Sequence, residues 1–300
     1  MESKILLESG TNELEILEFS IGDLRYGINV AKVVEIIQYS KPTIIPNTHP
    51  SIEGIFMPRN EIITVLDLAK HLNINHTTPE KRHMTIITNF NQVLVGFHVG
   101  AVNGIHRVSW ESITKPEATI NGSGNGIATG ILKMKDDLIV ILDFEKIVSD
   151  ASPATGMNID TIKKMGPRER NNKPILIAED SPMLEKILND CLTEAGYTNL
   201  TIVNNGLEAW NKLREYKESG LPLEQQVSLV LTDIEMPQMD GHHLIKLIRD
   251  DYELSHLPII VFSSLVSTDM KKKGEALGAT AQISKPEIGQ LVETLDRYVI

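Results

Sequence analysis

The chain has 300 residues, 41% of them hydrophobic, and a formal charge of −11. That length suits about two domains of roughly 100–200 residues each. Acids outnumber bases throughout, 19 to 13 in residues 1–160 and 21 to 16 beyond. The clustered Lys and Arg that neutralise phosphates are therefore missing, and no nucleic-acid partner is expected.

The N-terminus, MESKILLESGTNELEIL, has neither a long apolar stretch nor a cleavage pattern, so it does not read as a signal peptide. No run reaches the roughly 18–20 apolar residues of a membrane span. A cytoplasmic protein with no direct membrane insertion is expected, so any membrane contact would go through a membrane-bound partner. Cys191 is the single cysteine. It falls in an apolar helical pattern and reads as a small core residue. The one basic run, Lys271-Lys272-Lys273, reads as a solvated helix face.

Residues 1–150 consist mainly of short alternating runs broken by turn residues, the signature of β-strands. They contain an internal repeat: GIFMPRNEIITVLDLAKHL (54–72) aligns without gaps on GILKMKDDLIVILDFEKIV (130–148). Each copy predicts strand, turn, strand and a short helix. Arg59-Asn60 and Lys135-Asp136-Asp137 supply the turns. Asp67 and Asp143 are placed to cap the helical turns that follow, because a carboxylate accepts from unpaired backbone N–H groups. A repeated hairpin with further strands between the copies implies two similar β subdomains. The histidines at 49, 71, 76, 83, 98 and 106 show no metal-ligand spacing and read as scattered surface or turn residues.

SIEGIFMPRNEIITVLDL resembles the CheW coupling domain of bacterial chemotaxis, with Ile52, Gly54, Arg59, Val65, Asp67 and Leu68 matching its hairpin pattern. Asn60 replaces the usual Gly and Thr64 the usual Pro. The upstream FSIGDLRYGINVAKVVEII is similar to the family's opening strands and helix. The resemblance implies two small five-stranded β-barrels that link chemoreceptors to the histidine kinase CheA. It also places Arg59 in the region that meets receptor or kinase.

Residues 151–172, with two prolines, two glycines and a run of charge, read as a linker. From Lys173 onward, five apolar runs alternate with five helical patterns. That order predicts a doubly wound α/β domain with a parallel sheet. Ligands of such sheets bind outside the carboxyl ends of the strands. Glu179-Asp180 end the first strand, Asp233 the third, Ser263-Ser264 the fourth and Lys285 the fifth, so all gather at one rim. Capping explains a single acid at a strand end. It does not explain an acid pair, an acid, a hydroxyl and an ammonium together, because crowding like charges is costly without a compensating ion. The carboxylates call for a hard divalent cation such as Mg²⁺. Asp233 is then both ligand and nucleophile toward a phosphoryl group. Lys285 offsets charge on the phosphoryl oxygens and Ser263 donates a hydroxyl.

These residues, together with MPQMDG at 236–241 and Lys285-Pro286, resemble the receiver domain of response regulators. The resemblance implies Mg²⁺ held by Asp180, Asp233 and the backbone carbonyl of Glu235, with Glu179 acting through water. It implies strand order 2-1-3-4-5 and a switch involving Ser263. At the position where receivers commonly carry an aromatic residue stands Gln282, so a different readout is expected there. The expected architecture is multidomain, an N-terminal all-β coupling domain (1–150), a linker (151–172) and an α/β receiver (173–300). This layout is similar to that of the CheV coupling proteins, whose partners are CheA and methyl-accepting chemoreceptors. The alternatives are a Mg²⁺-dependent phosphohydrolase with an aspartate nucleophile, and a constitutive coupler whose receiver is vestigial. Neither the receiver nor the coupler reading makes the protein an enzyme beyond self-phosphorylation and self-dephosphorylation.

Overall fold

The computed structural model describes residues 12–75, 80–90, 93–116, 126–134, 137–152, 159–166, 168–264 and 268–299. The chain divides into two compact units. One comprises Leu14–Val108 with Ser112–Gly156, and Met157–Ile300 forms the body of the other.

The first unit is built from β1 (Glu13–Ile21), β2 (Leu24–Asn29), β3 (Val33–Gln38), β4 (Ile52–Phe56), β5 (Ile63–Asp67) and the short helix α1 (Leu68–His71). It continues with β6 (Met84–Phe90), β7 (Val93–Val99), β8 (Ala101–Ser109), β9 (Ile113–Thr114), β10 (Ala128–Met134), β11 (Asp137–Leu142) and α2 (Phe144–Ala151). The strands form two sheets, β8-β1-β2-β11-β10-β9 and β3-β6-β7-β5-β4. Alternating strands bury one face, and Phe19, Phe97 and Phe144 join the two sheets in a common core. The Phe97 and Phe144 rings meet edge to face at 4.8 Å.

The internal repeat is structural. Hairpin β4–β5 leads into α1, and hairpin β10–β11 leads into α2. Both hairpins carry a register irregularity at the same place, between Ile52 and Gly54 and between Ala128 and Gly130. Asp67 Oδ1 accepts from the Lys70 N–H at 2.9 Å, and Asp143 Oδ1 from the Lys146 N–H at 2.9 Å, which are the caps expected from the sequence. The Arg59-Asn60 turn lies between β4 and β5 as expected. The other turn falls partly on residues 135–136, outside the described residues.

The first sheet has six strands where five were expected. The sixth is the two-residue β9, whose Ile113 and Thr114 pair with Leu132 and Ile131. Gly130 makes room for it, since a Cβ there would lie 2.4 Å from Ile113 Cγ2.

The second unit alternates β12 (Ile175–Ala178), α4 (Pro182–Glu194), β13 (Leu200–Val203), α5 (Gly206–Glu218), β14 (Leu229–Thr232), α6 (Gly241–Asp250), β15 (Ile259–Ser263), α7 (Thr268–Leu277), β16 (Ala281–Ser284) and α8 (Ile288–Tyr298). All pairings are parallel and the order is β13-β12-β14-β15-β16, the expected 2-1-3-4-5. Ile175 and Ile177 of β12 pack with Leu188 and Leu295 on one side of the sheet, and Leu176 and Ala178 with Leu213 and Ile245 on the other. Central strands buried on both faces account for the unbroken apolar runs.

The region read as a linker is partly folded. It contains the last residue of α2 and a helix, α3 (Ile159–Lys164). Ile162 is buried in the same cluster as Leu188 of α4 and Leu291 of α8. Farther on, Arg168 Nε donates to the Ala195 carbonyl at 2.9 Å, and its guanidinium pairs with Asp296. A polar composition hid a helix whose Ile162 is buried in the core of the second unit.

Candidate functional site

The parallel register brings the polar strand ends together. Ala178 pairs with Thr232, so Glu179 and Asp233 both follow directly after paired positions. The Asp233 N–H donates to the Ala178 carbonyl at 3.0 Å. Ser263 pairs with Ser284, and the Lys285 N–H donates to the Ser263 carbonyl at 3.1 Å. The backbone ladder thus fixes where each of these side chains starts.

The turn after Asp233 is shaped by close backbone approach. Gly241 N–H donates to the Ile234 carbonyl at 2.9 Å. A Cβ on Gly241 would lie 2.0 Å from the Asp233 carbonyl oxygen, so only glycine fits. Asp240 caps α6 through the His243 N–H at 2.7 Å. Ser181 caps α4 through the Leu184 N–H at 3.4 Å, with Pro182 as its first residue, the arrangement that proline's fixed φ favours.

Lys285 Nζ lies 2.8 Å from Glu179 Oε2 and 2.8 Å from Asp233 Oδ2. Glu179, Asp233 and Lys285 are all buried, and Ser263 is fully so. Asp180 is half-buried beside them. Glu179, Asp180 and Asp233 each offer a carboxylate oxygen, all within 4.8 Å of one another. Glu235 sits half-buried in the loop two residues past Asp233. Glu179 Oε1 also accepts from the Ser181 N–H at 3.2 Å, and Asp233 Oδ1 from the Ile234 N–H at 2.5 Å.

The electrostatics follow from that crowding. Burial pushes the Glu179 carboxyl up to about 7, and the charge of Asp233 pushes the same way against the opposing pull of Lys285. Two of the three carboxylates share one ammonium, and a cluster of oxygen donors with negative charge in excess fits a hard divalent cation such as Mg²⁺. Glu179, Asp180 and Asp233 are the side chains that would hold it.

Gln282 lies on β16 with its side chain bonded to helix α7. Its Nε2 donates to the Lys271 carbonyl at 2.6 Å. A Cβ on Gly274 would lie 2.4 Å from Gln282 Oε1, so the amide occupies the space a larger residue at 274 would need. In the first unit, Arg59 is exposed and pairs with Glu35 Oε1 at 2.8 Å.

Sequence spacing missed the histidine environment. His83 and His98 are 5% exposed and in mutual contact, with His83 Nδ1 2.9 Å from His98 Nε2. His49 and His71 both reach Ser51 Oγ, at 2.7 and 3.3 Å, and His106 Nε2 lies 2.6 Å from Glu18 Oε2. The reading of scattered surface histidines is therefore corrected for His83 and His98, which are buried, and for His71 and His106, which are half-buried; His49 is exposed as expected, and His76 lies outside the described residues. Strand pairing brings together residues that are distant in sequence, and no spacing rule for one segment detects that. His242, on α6, was also missed. It is buried, and its Nε2 is the one buried side-chain polar atom without a partner among the described residues.

Residues 15–152 match the CheW-like domain family, and residues 175–296 the response regulator receiver domain family. The chemotaxis protein CheV3 of Helicobacter pylori is 30% identical, over 100% of this chain and 99% of that protein. CheV2 of the same organism is 28% identical, over 91% of this chain and 89% of that protein. Among solved structures, the scaffolding protein TtCheW of Thermoanaerobacter tengcongensis is 30% identical over 43% of this chain and 83% of its own, with a TM-score of 0.40.

Proposed function

The chain belongs to the CheV family of chemotaxis proteins, and from that premise we propose that CheA phosphorylates Asp233 and thereby changes how the N-terminal domain couples chemoreceptors to the kinase. The protein is a chemotaxis signalling adaptor with a CheW-like domain and a receiver domain. In this reading residues 1–150 couple, residues 151–172 connect, and residues 173–300 receive the phosphoryl group. The effect serves adaptation or draws phosphoryl groups away from other acceptors. The protein works in the cytoplasm at membrane receptor arrays, held there by receptors and kinase. Among the described residues, no helix is long and apolar enough to cross a membrane.

The observation that carries the proposal is the buried contact of Lys285 Nζ with Asp233 Oδ2 and Glu179 Oε2, both at 2.8 Å. An Asp233 oxygen attacks the phosphorus of a phosphohistidine on CheA. The new O–P bond forms as the P–N bond breaks, and the leaving imidazole takes up a proton. Bound Mg²⁺ would supply charge neutralisation for the phosphoryl oxygens. Lys285 holds one Asp233 oxygen and presents its ammonium to the incoming phosphoryl group. Ser263, at the end of the adjacent strand, offers its hydroxyl to the same group. Gln282, through its bond to the Lys271 carbonyl, relays the change to α7. Arg59, exposed in the β4–β5 turn, contributes to the surface that meets receptor or kinase.

Radiolabelled phosphotransfer from CheA to native and Asp233→Ala protein tests the assignment. Stoichiometric labelling of the native protein and none of the variant is expected. Undiminished labelling of Asp233→Ala overturns it, and sustained multiple turnover on phosphate monoesters would point to a phosphohydrolase instead.

A further inference from the structure

A second group of ligand-type side chains lies on the five-stranded sheet of the coupling unit. Asp67 at the end of β5 and His98 on β7 are direct partners across the parallel pair. Glu53 is the residue at the register irregularity of β4, where Ile52 pairs with Leu66 and Gly54 with Val65. Such bulges re-aim a side chain. Glu53, Asp67 and His98 each present a ligand atom, and these lie within 4.8 Å of one another. His98 Nδ1 is 3.1 Å from both Glu53 oxygens. Ligand atoms sharing one zinc at bond lengths of about 2.0–2.2 Å are separated by roughly 3–3.5 Å, and the Glu53–His98 separation of 3.1 Å falls in that range.

The imidazole is held on its other edge and on its face. His98 Nε2 meets His83 Nδ1 at 2.9 Å, and the Tyr39 ring stacks on His98 at 3.7 Å. Metal ligation through Nδ1 needs that lone pair, which puts the His98 proton on Nε2 and directs it at His83 Nδ1. A hydrogen bond from the far nitrogen is how metal-bound histidines are usually oriented.

The internal repeat provides a built-in comparison. Asp143 stands where Asp67 does, and each caps the helix that follows. In the second copy Thr129 occupies the place of Glu53. Gly27 pairs with Ile141 as Gly96 pairs with Val65, so Asn29 corresponds to His98. Capping therefore accounts for the aspartate in both copies but not for the glutamate and histidine confined to the first.

We propose that Glu53, Asp67 and His98 form a binding site for a first-row divalent transition-metal ion of the zinc class, with His83 orienting His98. One imidazole with two carboxylates favours such an ion over Mg²⁺ or Ca²⁺, which prefer oxygen alone. Bound metal joins β4, β5 and β7 and so stiffens the hairpin that carries Arg59.

The test uses the full-length protein stripped of metal and titrated with ZnCl₂ by calorimetry in saturating Mg²⁺, with thermal unfolding recorded in parallel. Binding of one equivalent and a raised melting temperature are expected. His98→Gln and Glu53→Gln each weaken binding at least about tenfold, while Asp143→Asn retains it. Equal zinc binding by native and His98→Gln protein overturns the proposal, whichever other groups take the ion. Because a variant could misfold, Co²⁺ is added to the native protein and the His83 and His98 ring protons are followed by NMR. Selective paramagnetic shifting or broadening of these two rings supports the site, and its absence overturns it.

Discussion

Lys285 and Asp233 meet inside the second unit at 2.8 Å, with side chains 3% and 9% exposed, and the same ammonium holds Glu179 at 2.8 Å. One cation thus pairs with two buried carboxylates and ties the end of β12 to the ends of β14 and β16. Removing one partner of such a pair leaves an uncompensated buried charge.

Lys285→Met is expected to destabilise the native fold at neutral pH by about 3 kcal/mol. The loss shrinks as pH falls from about 9 to about 7, because without the pull of Lys285 the Glu179 carboxyl is raised further and takes up a proton that relieves the repulsion. Urea unfolding of native and variant protein across that range checks both parts. The variant should also accept phosphoryl groups from CheA more slowly, which the labelling assay reads.

Glu179 gives the Mg²⁺-free protein a pH dependence of definite sign. Its folded carboxyl is pushed up to about 7 from an ordinary value of 4.5. Between those values the native state holds a proton that the unfolded chain does not. Stability is therefore fully present below the ordinary value and falls as pH rises through about 7, by an amount on the order of 3 kcal/mol. Glu179→Gln should flatten this limb. Mg²⁺ should flatten it too, because the cation favours the ionised carboxylate. Urea midpoints from pH 5 to 8, with and without Mg²⁺, provide the measurement.

The receiver site was legible in the sequence because each of its groups sits at the end of an apolar run, and five parallel strands bring all such ends to one rim. The caps at Asp67 and Asp143 were legible for a similar reason: a carboxylate followed by a helical pattern has one local role. Glu53, His83 and His98 were not. Their proximity arises from the pairing of β5 and β6 with β7 and from an irregularity in β4, and none of these is encoded in the spacing of one segment. Helix α3 was hidden because its surroundings are polar, while burial of Ile162 decides its position.

Gln282 is expected to act as a tether on α7. Gln282→Ala removes the bond to the Lys271 carbonyl, costing about 1 kcal/mol, and should speed amide exchange in α7. Gly274→Ala should do the same by pushing the amide aside, because the added Cβ would fall 2.4 Å from Gln282 Oε1. Hydrogen–deuterium exchange by mass spectrometry reads both. Labelling of Asp233 should persist in each, since neither position touches the acceptor. Unchanged exchange in α7 would rule out the tether.

His242 sets an acid limb opposite in sign to that of Glu179. Burial, reinforced by the charge of Lys273, pushes its imidazole down to about 3 from an ordinary 6.5. As pH falls below the ordinary value, the unfolded chain gains a proton that the native state refuses, so stability declines toward the lower value. The orphaned Nε2 adds a desolvation cost of about 1–3 kcal/mol. Replacing the ring with an apolar side chain of similar size removes both penalties, because neither needs a hydrogen-bond partner. His242→Leu should therefore raise stability at neutral pH by about 1 kcal/mol and reduce the loss between pH 6.5 and 4, measured by urea unfolding on the full chain. An unaltered acid limb in that variant would show that His242 does not set it.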